Sequence, residues 1–281
     1  MLIELIKFFI YSGIIVLISK YVMVITLRKL AEALNLKAKT VGNVAGYATS
    51  VPELLTIVVS SFSGLISASI LNVISSNIIN FVQYILSIIL NKNQKVLKNR
   101  AIIIELVLVI TTIIIPLSIF NYNIEINIEI VPIFIILYVL FIYLNSNVHK
   151  LYLNSEDKIL EEKIEKEKKW ERNNKKKILK YIFYLVLTGV LLFITGNLLG
   201  DTLENLCIYF NISQTIIGIL LGFVTSIPEL ITFFESQRHY RKKNNDEILG
   251  VIEATNNLFT SNILNLFVIQ SIGIVIYSVF T

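Results

Sequence analysis

The sequence has little of what soluble enzymes are made from. Charged residues supply 16% of its 281 positions, where soluble globular domains carry roughly a quarter. A single cysteine, Cys207, excludes an intramolecular disulfide framework. The two histidines, His149 and His239, lie in polar segments and leave no His/Cys cluster for a soft metal. What is abundant is apolar: 55% of residues are hydrophobic, and the mean hydropathy is +0.72. This composition argues against a soluble enzyme or a nucleic-acid binder, despite a net charge of +5, because in a membrane chain the placement of Lys and Arg matters more than their total.

Apolar runs between charges predict spans near 4–27, 41–62, 68–90, 101–120, 130–147, 179–200, 212–234 and 252–280, an all-α polytopic membrane protein with about eight helices. The first run lacks a small-residue cleavage site and is expected to remain in the mature protein, with Lys7 and Lys20 snorkelling from its ends. Basic clusters alternate with loops that have none: Arg28, Lys29, Lys37 and Lys39; Lys92, Lys95, Lys98 and Arg100; eleven basic against seven acidic residues over 150–180; and Arg238, Arg241, Lys242 and Lys243. The positive-inside rule then places the N-terminus outside and residues 148–178 in the cytoplasm, most naturally at the plasma membrane. Three parts are predicted: a first transmembrane repeat at 1–147, a charged connector at 148–178 and a second repeat at 179–281. The Glu and Lys spacing of the connector suits a solvated helix beside the membrane, with Trp170 near its end at the headgroups or capping the helix.

The two halves repeat each other. TVGNVAGYATSVPELLT at 40–56 parallels TIIGILLGFVTSIPELIT at 215–232, with Gly42, Gly46, Thr49, Ser50, Pro52, Glu53 and Leu54 recurring 176 positions later. SSNIIN at 75–80 is answered by TSNILN at 260–265, at an offset of 185. The charge pattern sends the Glu53 span in from the cytoplasm and the Glu229 span in from outside, so the repeats are expected to be inverted, the arrangement that builds a midplane substrate site in many secondary transporters.

Glu53 and Glu229 fall about a dozen residues into their spans, roughly 18 Å along the helix, where a carboxylate must face protein and be protonated or paired with cations. Pro52 and Pro228 lack amide hydrogens and release the carbonyls four residues earlier, at Ala48 and Val224. Thr49, Ser50, Thr225 and Ser226 add hydroxyls on the same turns, and Ser76, Asn77, Asn80, Ser261, Asn262 and Asn265 add further oxygens from the second blocks. Oxygen-only ligation around two carboxylates favours Ca²⁺, with Na⁺ in subsites of hydroxyls and carbonyls. Gly42, Gly46, Gly218 and Gly222 also have the Gly-x-x-x-Gly spacing of close helix packing. Glu105, Glu235 and Glu253 are expected at solvated or interfacial helix ends.

TSVPEL at 49–54 with SNIIN at 76–80, and TSIPEL at 225–230 with SNILN at 261–265, resemble the sodium/calcium exchanger members of the calcium/cation antiporter family. The resemblance implies an inverted-repeat fold and exchange of Ca²⁺ for Na⁺ by alternating access. It further implies Glu53 and Glu229 as central ligands, with Thr49, Ser50, Ser76, Asn80, Thr225, Ser226, Ser261 and Asn265 around them. No catalysis or resident cofactor is implied; the partners are the bilayer and the transported cations. Three departures stand out. Ser75 and Thr260 replace a family glycine, as do Leu71 and Asn256; Asn265 stands where many exchangers have Asp; and the sequence reads as five spans plus three where the family typically has five plus five. The departures leave open a Ca²⁺/H⁺ antiporter, a cation channel, a transport-inactive protein that retains the core, and a homo-oligomer or a partner supplying helices.

Overall fold

The computed structural model describes residues 2–34, 36–62, 66–121, 127–152, 175–210, 214–244 and 247–280. Expectations for Trp170 and residues 153–174 lie outside this set, as do those for the side chains of Lys20, His149, Cys207 and Gly218. The described residues are helical apart from short links. A continuous helix opens the chain as α1 (Leu2–Ile18), a π turn (Ser19–Met23) and α2 (Val24–Ala33). There follow α3 (Ala38–Thr49), α4 (Val51–Phe62), α5 (Ile66–Leu90), α6 (Arg100–Asn121), α7 (Val131–Tyr152), α8 (Lys175–Phe210), α9 (Gln214–Thr225), α10 (Ile227–Asn244) and α11 (Glu247–Ile263). A π segment (Leu264–Ile269) links α11 to α12 (Gln270–Phe280).

Seven helical stretches among the described residues are long and apolar enough to cross a membrane: 38–62, 69–90, 100–119, 128–147, 177–202, 219–241 and 247–280. They match seven of the eight expected spans, and the first expected span lies on α1–α2, outside the seven. The outward faces are apolar, with Phe9, Val82, Ile136 and Phe183 each more than half exposed, as lipid contact requires.

The core is organised around α11, whose residues from Leu249 to Ile263 are all buried. It packs most extensively on α3, and α9 packs comparably on α5. Glycine permits both crossings. A Cβ on Gly46 would lie 2.8 Å from the Asn257 carbonyl oxygen and 2.8 Å from Thr260 Cβ, and one on Gly222 would lie 2.9 Å from the Asn72 carbonyl oxygen and collide with Ser75 Oγ. Ser75 and Thr260, which stand where the resembled family has glycine, each lie against a glycine of the facing helix, which leaves room for their side chains. A second cluster joins α1, α2, α3 and α8 through Ile15, Met23, Leu27, Ala45, Leu192 and Leu199. Phe134 and Phe141 of α7 close edge-on over Phe267, at centroid distances of 5.7 and 5.3 Å.

Candidate cation site

Both spans that carry the TSxPEL motif are broken at its serine. Ser50 separates α3 from α4 with φ −81° and ψ 2°, and Ser226 separates α9 from α10. The cause is local: proline at the second position of the following helix has no amide hydrogen to continue the ladder. The Ser50 amide turns back to the Gly46 carbonyl at 3.2 Å and is also directed at Ala48, so the Ala48 carbonyl is less free than proline alone implied. The break sets Glu53 and Glu229 in the first turns of α4 and α10, where the positive ends of two helix dipoles favour ionised carboxylates.

Glu53, Glu229, Ser50, Ser76, Asn80, Thr49, Ser226, Ser261 and Asn265 are all at most 1% exposed, and Thr225 is 5% exposed. Hydrogen bonds bring both halves of the chain into one cluster. Ser261 donates to Glu229 Oε1 at 3.1 Å, so the 2.9 Å contact between Ser50 and Ser261 hydroxyls is donated by Ser50. Asn80 Nδ2 also donates to Ser261 Oγ, at 3.4 Å. On the other side Ser76 Oγ lies 3.3 Å from Thr225 Oγ1. Thr225 neighbours the Glu53 carboxylate, Thr49 neighbours that of Glu229, and the two carboxylates are close enough for charge repulsion. Ser226 differs from Ser50: it donates to Gly222 of its own helix at 2.7 Å and does not reach across. Val224 is buried on the last turn of α9.

The cluster is rich in acceptors and short of donors. Glu53 Oε1 and Oε2, Glu229 Oε2, Asn80 Oδ1 and Asn265 Oδ1 are five buried oxygens with no hydrogen-bond donor. A buried acceptor left this way is costly, and a cation is what offsets the cost for a group of them. Among the described residues no three His, Cys, Asp or Glu side chains gather, so any cation here is held by two carboxylates and neutral oxygens.

Two asparagines belong to this architecture that sequence reasoning passed over. Asn72 Oδ1 accepts from Ser76 Oγ at 3.4 Å, and Asn257 Oδ1 accepts from Thr49 at 3.5 Å. The signal was present, because they stand 185 positions apart and one turn before Ser76 and Ser261. Asn77 and Asn262 exchange bonds to each other's main-chain carbonyls at 3.1 and 3.2 Å, pinning α5 to α11 at the centre.

Two other carboxylates are not where their sequence positions placed them. Glu253 is 3% exposed, bonded by Arg28 Nη2 at 2.9 Å and by Ser236 Oγ at 2.7 Å, because Gly42 lets α11 sink against α3. Glu105 is fully buried and faces Tyr84, whose hydroxyl lies 2.8 Å from Thr255 Oγ1. Glu235 is partly exposed, 3.6 Å from Arg238, but lies in the middle of α10 rather than at a helix end.

Broken membrane helices, paired buried carboxylates and an oxygen cage define a polytopic membrane transporter of cations, not an enzyme. Residues 5–147 and 180–281 match the family described as sodium/calcium exchanger protein, and the chain belongs to that family, whose members are cation antiporters. The fold is similar to that of the sodium/calcium exchanger from Methanococcus jannaschii, with a TM-score of 0.56 and 20% identity over 98% of this chain and 83% of that one. For NCX_Mj soaked with 10 mM Na⁺ and zero Ca²⁺ the TM-score is 0.60 at 20% identity over 98% and 84%. For NCX_Mj soaked with zero Na⁺ and Ca²⁺ it is 0.58 at 22% identity over 100% and 84%. A comparison with curated protein sequences finds no match.

Proposed function

We propose that the chain exchanges Ca²⁺ for Na⁺ across a membrane by alternating access, with Glu53 and Glu229 as the central ligands. The observation that carries this reading is the set of five buried acceptor oxygens without donors, contributed by both halves of the sequence around two carboxylates. Thr49, Ser50, Ser76, Thr225 and Ser261 supply hydroxyl oxygens beside them, and the carbonyls of Ala48 and Val224 at the α3 and α9 ends complete the set. Asn80 and Asn265 add amide oxygens, and Ser226 acts through its lone pairs since its hydrogen is engaged. Together the carboxylates carry −2, which one Ca²⁺ or two Na⁺ neutralise.

The organisation we infer is a first repeat at 1–147, a cytoplasmic connector at 148–178 and an inverted second repeat at 179–281, with the N-terminus outside. Contacts that recur at the sequence offsets support it: Gly46 against Thr260 and Ser261 has its counterpart in Gly222 against Ser75 and Ser76. An empty, doubly charged centre is expensive to carry past the apolar layer, which couples the return of the site to occupancy by the counter-ion. Purified protein in vesicles should take up ⁴⁵Ca²⁺ under an outward Na⁺ gradient, and Glu53→Gln or Glu229→Gln should reduce uptake to the protein-free level. Folded protein without gradient-dependent uptake, or with full uptake in both variants, overturns the proposal.

A further inference from the structure

On α10, Glu229, Thr232 and Ser236 are spaced by three and four residues and share one face. Each hands the polar surface on to the next turn. Thr232 Oγ1 donates to the Glu229 carbonyl at 2.8 Å and receives Asn257 Nδ2 at 2.5 Å, and Ser236 Oγ lies 2.7 Å from both the Thr232 carbonyl and Glu253 Oε1. On α11, Glu253 lies one turn before Asn257, the partner of Thr49, and two turns before Ser261, the donor to Glu229, so the two levels are about 12 Å apart. A cavity of about 10 Å³, room for about one water, adjoins Thr232, Ser236, Glu253 and Arg28. The polar track thus runs from the central carboxylates toward the face that carries Arg28, Lys29, Lys37 and Lys39, and ends on a buried carboxylate.

That carboxylate is filled. Arg28 reaches it with both terminal nitrogens, Nη2 at 2.9 Å and Nη1 at 3.3 Å, and the side chains are 15% and 4% exposed. A guanidinium on a helix is a tethered cation, and it satisfies the same oxygens that a free cation would. We propose that Glu253, with Ser236 and Thr232, forms a second cation site two helical turns from the central pair on the basic face, and that Arg28 is the displaceable cation that occupies it in this conformation. Arg28 leaves Glu253 as a transported ion passes and returns behind it, so the pair closes that face of the pathway. The direction of passage rests on the exchanger reading; the existence of the second site does not.

Equilibrium binding of ⁴⁵Ca²⁺ to purified wild type, Arg28→Gln, Arg28→Lys and Arg28→Gln/Glu253→Gln tests the site itself. Arg28→Gln should show an additional saturable component of bound Ca²⁺, and the double variant should lose it. Arg28→Lys, which keeps the charge but not the two-pronged grip, should bind the additional Ca²⁺ with intermediate affinity, and it serves if Arg28→Gln does not fold. In vesicles, Arg28→Gln should lower the apparent KM for Ca²⁺ at the basic face about tenfold, the scale of a modest coupling between two sites, and leave that at the opposite face unchanged. The exchanged pair Arg28→Glu/Glu253→Arg should restore thermal stability but not the wild-type KM. Folded Arg28 variants that bind no more Ca²⁺ than wild type, or an exchanged pair that restores both stability and KM, overturn the proposal. Absence of flux in wild type would count against the exchanger reading alone, because the binding measurement stands apart from it.

Discussion

Glu53 has two free carboxylate oxygens, whereas Glu229 has one, its other oxygen being held by Ser261 at 3.1 Å. The pair is therefore unequal, with Glu53 the more open ligand. Glu53→Gln should weaken Ca²⁺ binding by about 10- to 100-fold, the equivalent of a charge-assisted contact of about 1.5–3 kcal/mol, as read by titration calorimetry. Ser261→Ala removes the donor to Glu229 and the acceptor used by Ser50 and Asn80, and should weaken binding by a smaller factor, about tenfold. Asn265→Asp brings a third carboxylate to an oxygen without a donor, so voltage-dependent net current should appear where wild type shows none. The central carboxylates were legible in the sequence because a Glu that far into an apolar run has few alternatives, and because it occurs twice. Glu253 and Glu105 were not legible. Their burial depends on helices that meet across the fold, and Arg28 lies 225 positions from the carboxylate it pairs with.

At the level of the helix, the break matters more than the motif's hydroxyls. Ser50 and Glu53 have the spacing of a capping box, which would fold both side chains back onto the helix start. Instead Ser50 reaches Ser261 and the Glu53 oxygens have no donor, so the local capping chemistry is given over to the centre of the protein. Pro52→Ala returns an amide donor to the break and should slow transport while leaving thermal stability equal or higher, as read by flux and melting temperature. Gly222→Leu should instead destabilise the protein by about 1–3 kcal/mol through overpacking, because no room exists between α9 and the Asn72–Ser76 turn of α5. Helix positions were legible from charge spacing, but not all their ends. α8 continues to Phe210, well past the apolar run that ends near 200, since residues 201–210 turn polar but contain no proline or glycine to stop a helix. Nor did hydropathy reveal the π segment at Leu264–Ile269, which sets Asn265 at the centre.

For the molecule as a whole, one helix organises both packing and chemistry. α11 contributes Ser261 and Asn262 to the centre and Glu253 to the level below, and its burial on every side fixes these groups relative to α3, α5 and α10. The −2 charge of the central pair predicts exchange close to electroneutral, measurable as Na⁺-driven Ca²⁺ uptake that does not respond to a clamped membrane potential. A strong net current would contradict it. The alternation of basic and neutral loops predicts that a cysteine placed in 148–178 is labelled from the cytoplasm and one in 121–129 from outside; labelling of 121–129 from the cytoplasm would invert the proposed sidedness. The central claim is that the donor-poor oxygens of both halves enclose one divalent cation. Crystals soaked in Sr²⁺, a heavier analogue of Ca²⁺, test it most directly: the account predicts an anomalous peak between the carboxylates of Glu53 and Glu229 that disappears in Glu53→Gln, and a peak confined to other carboxylates, or none at saturating Sr²⁺, would contradict it.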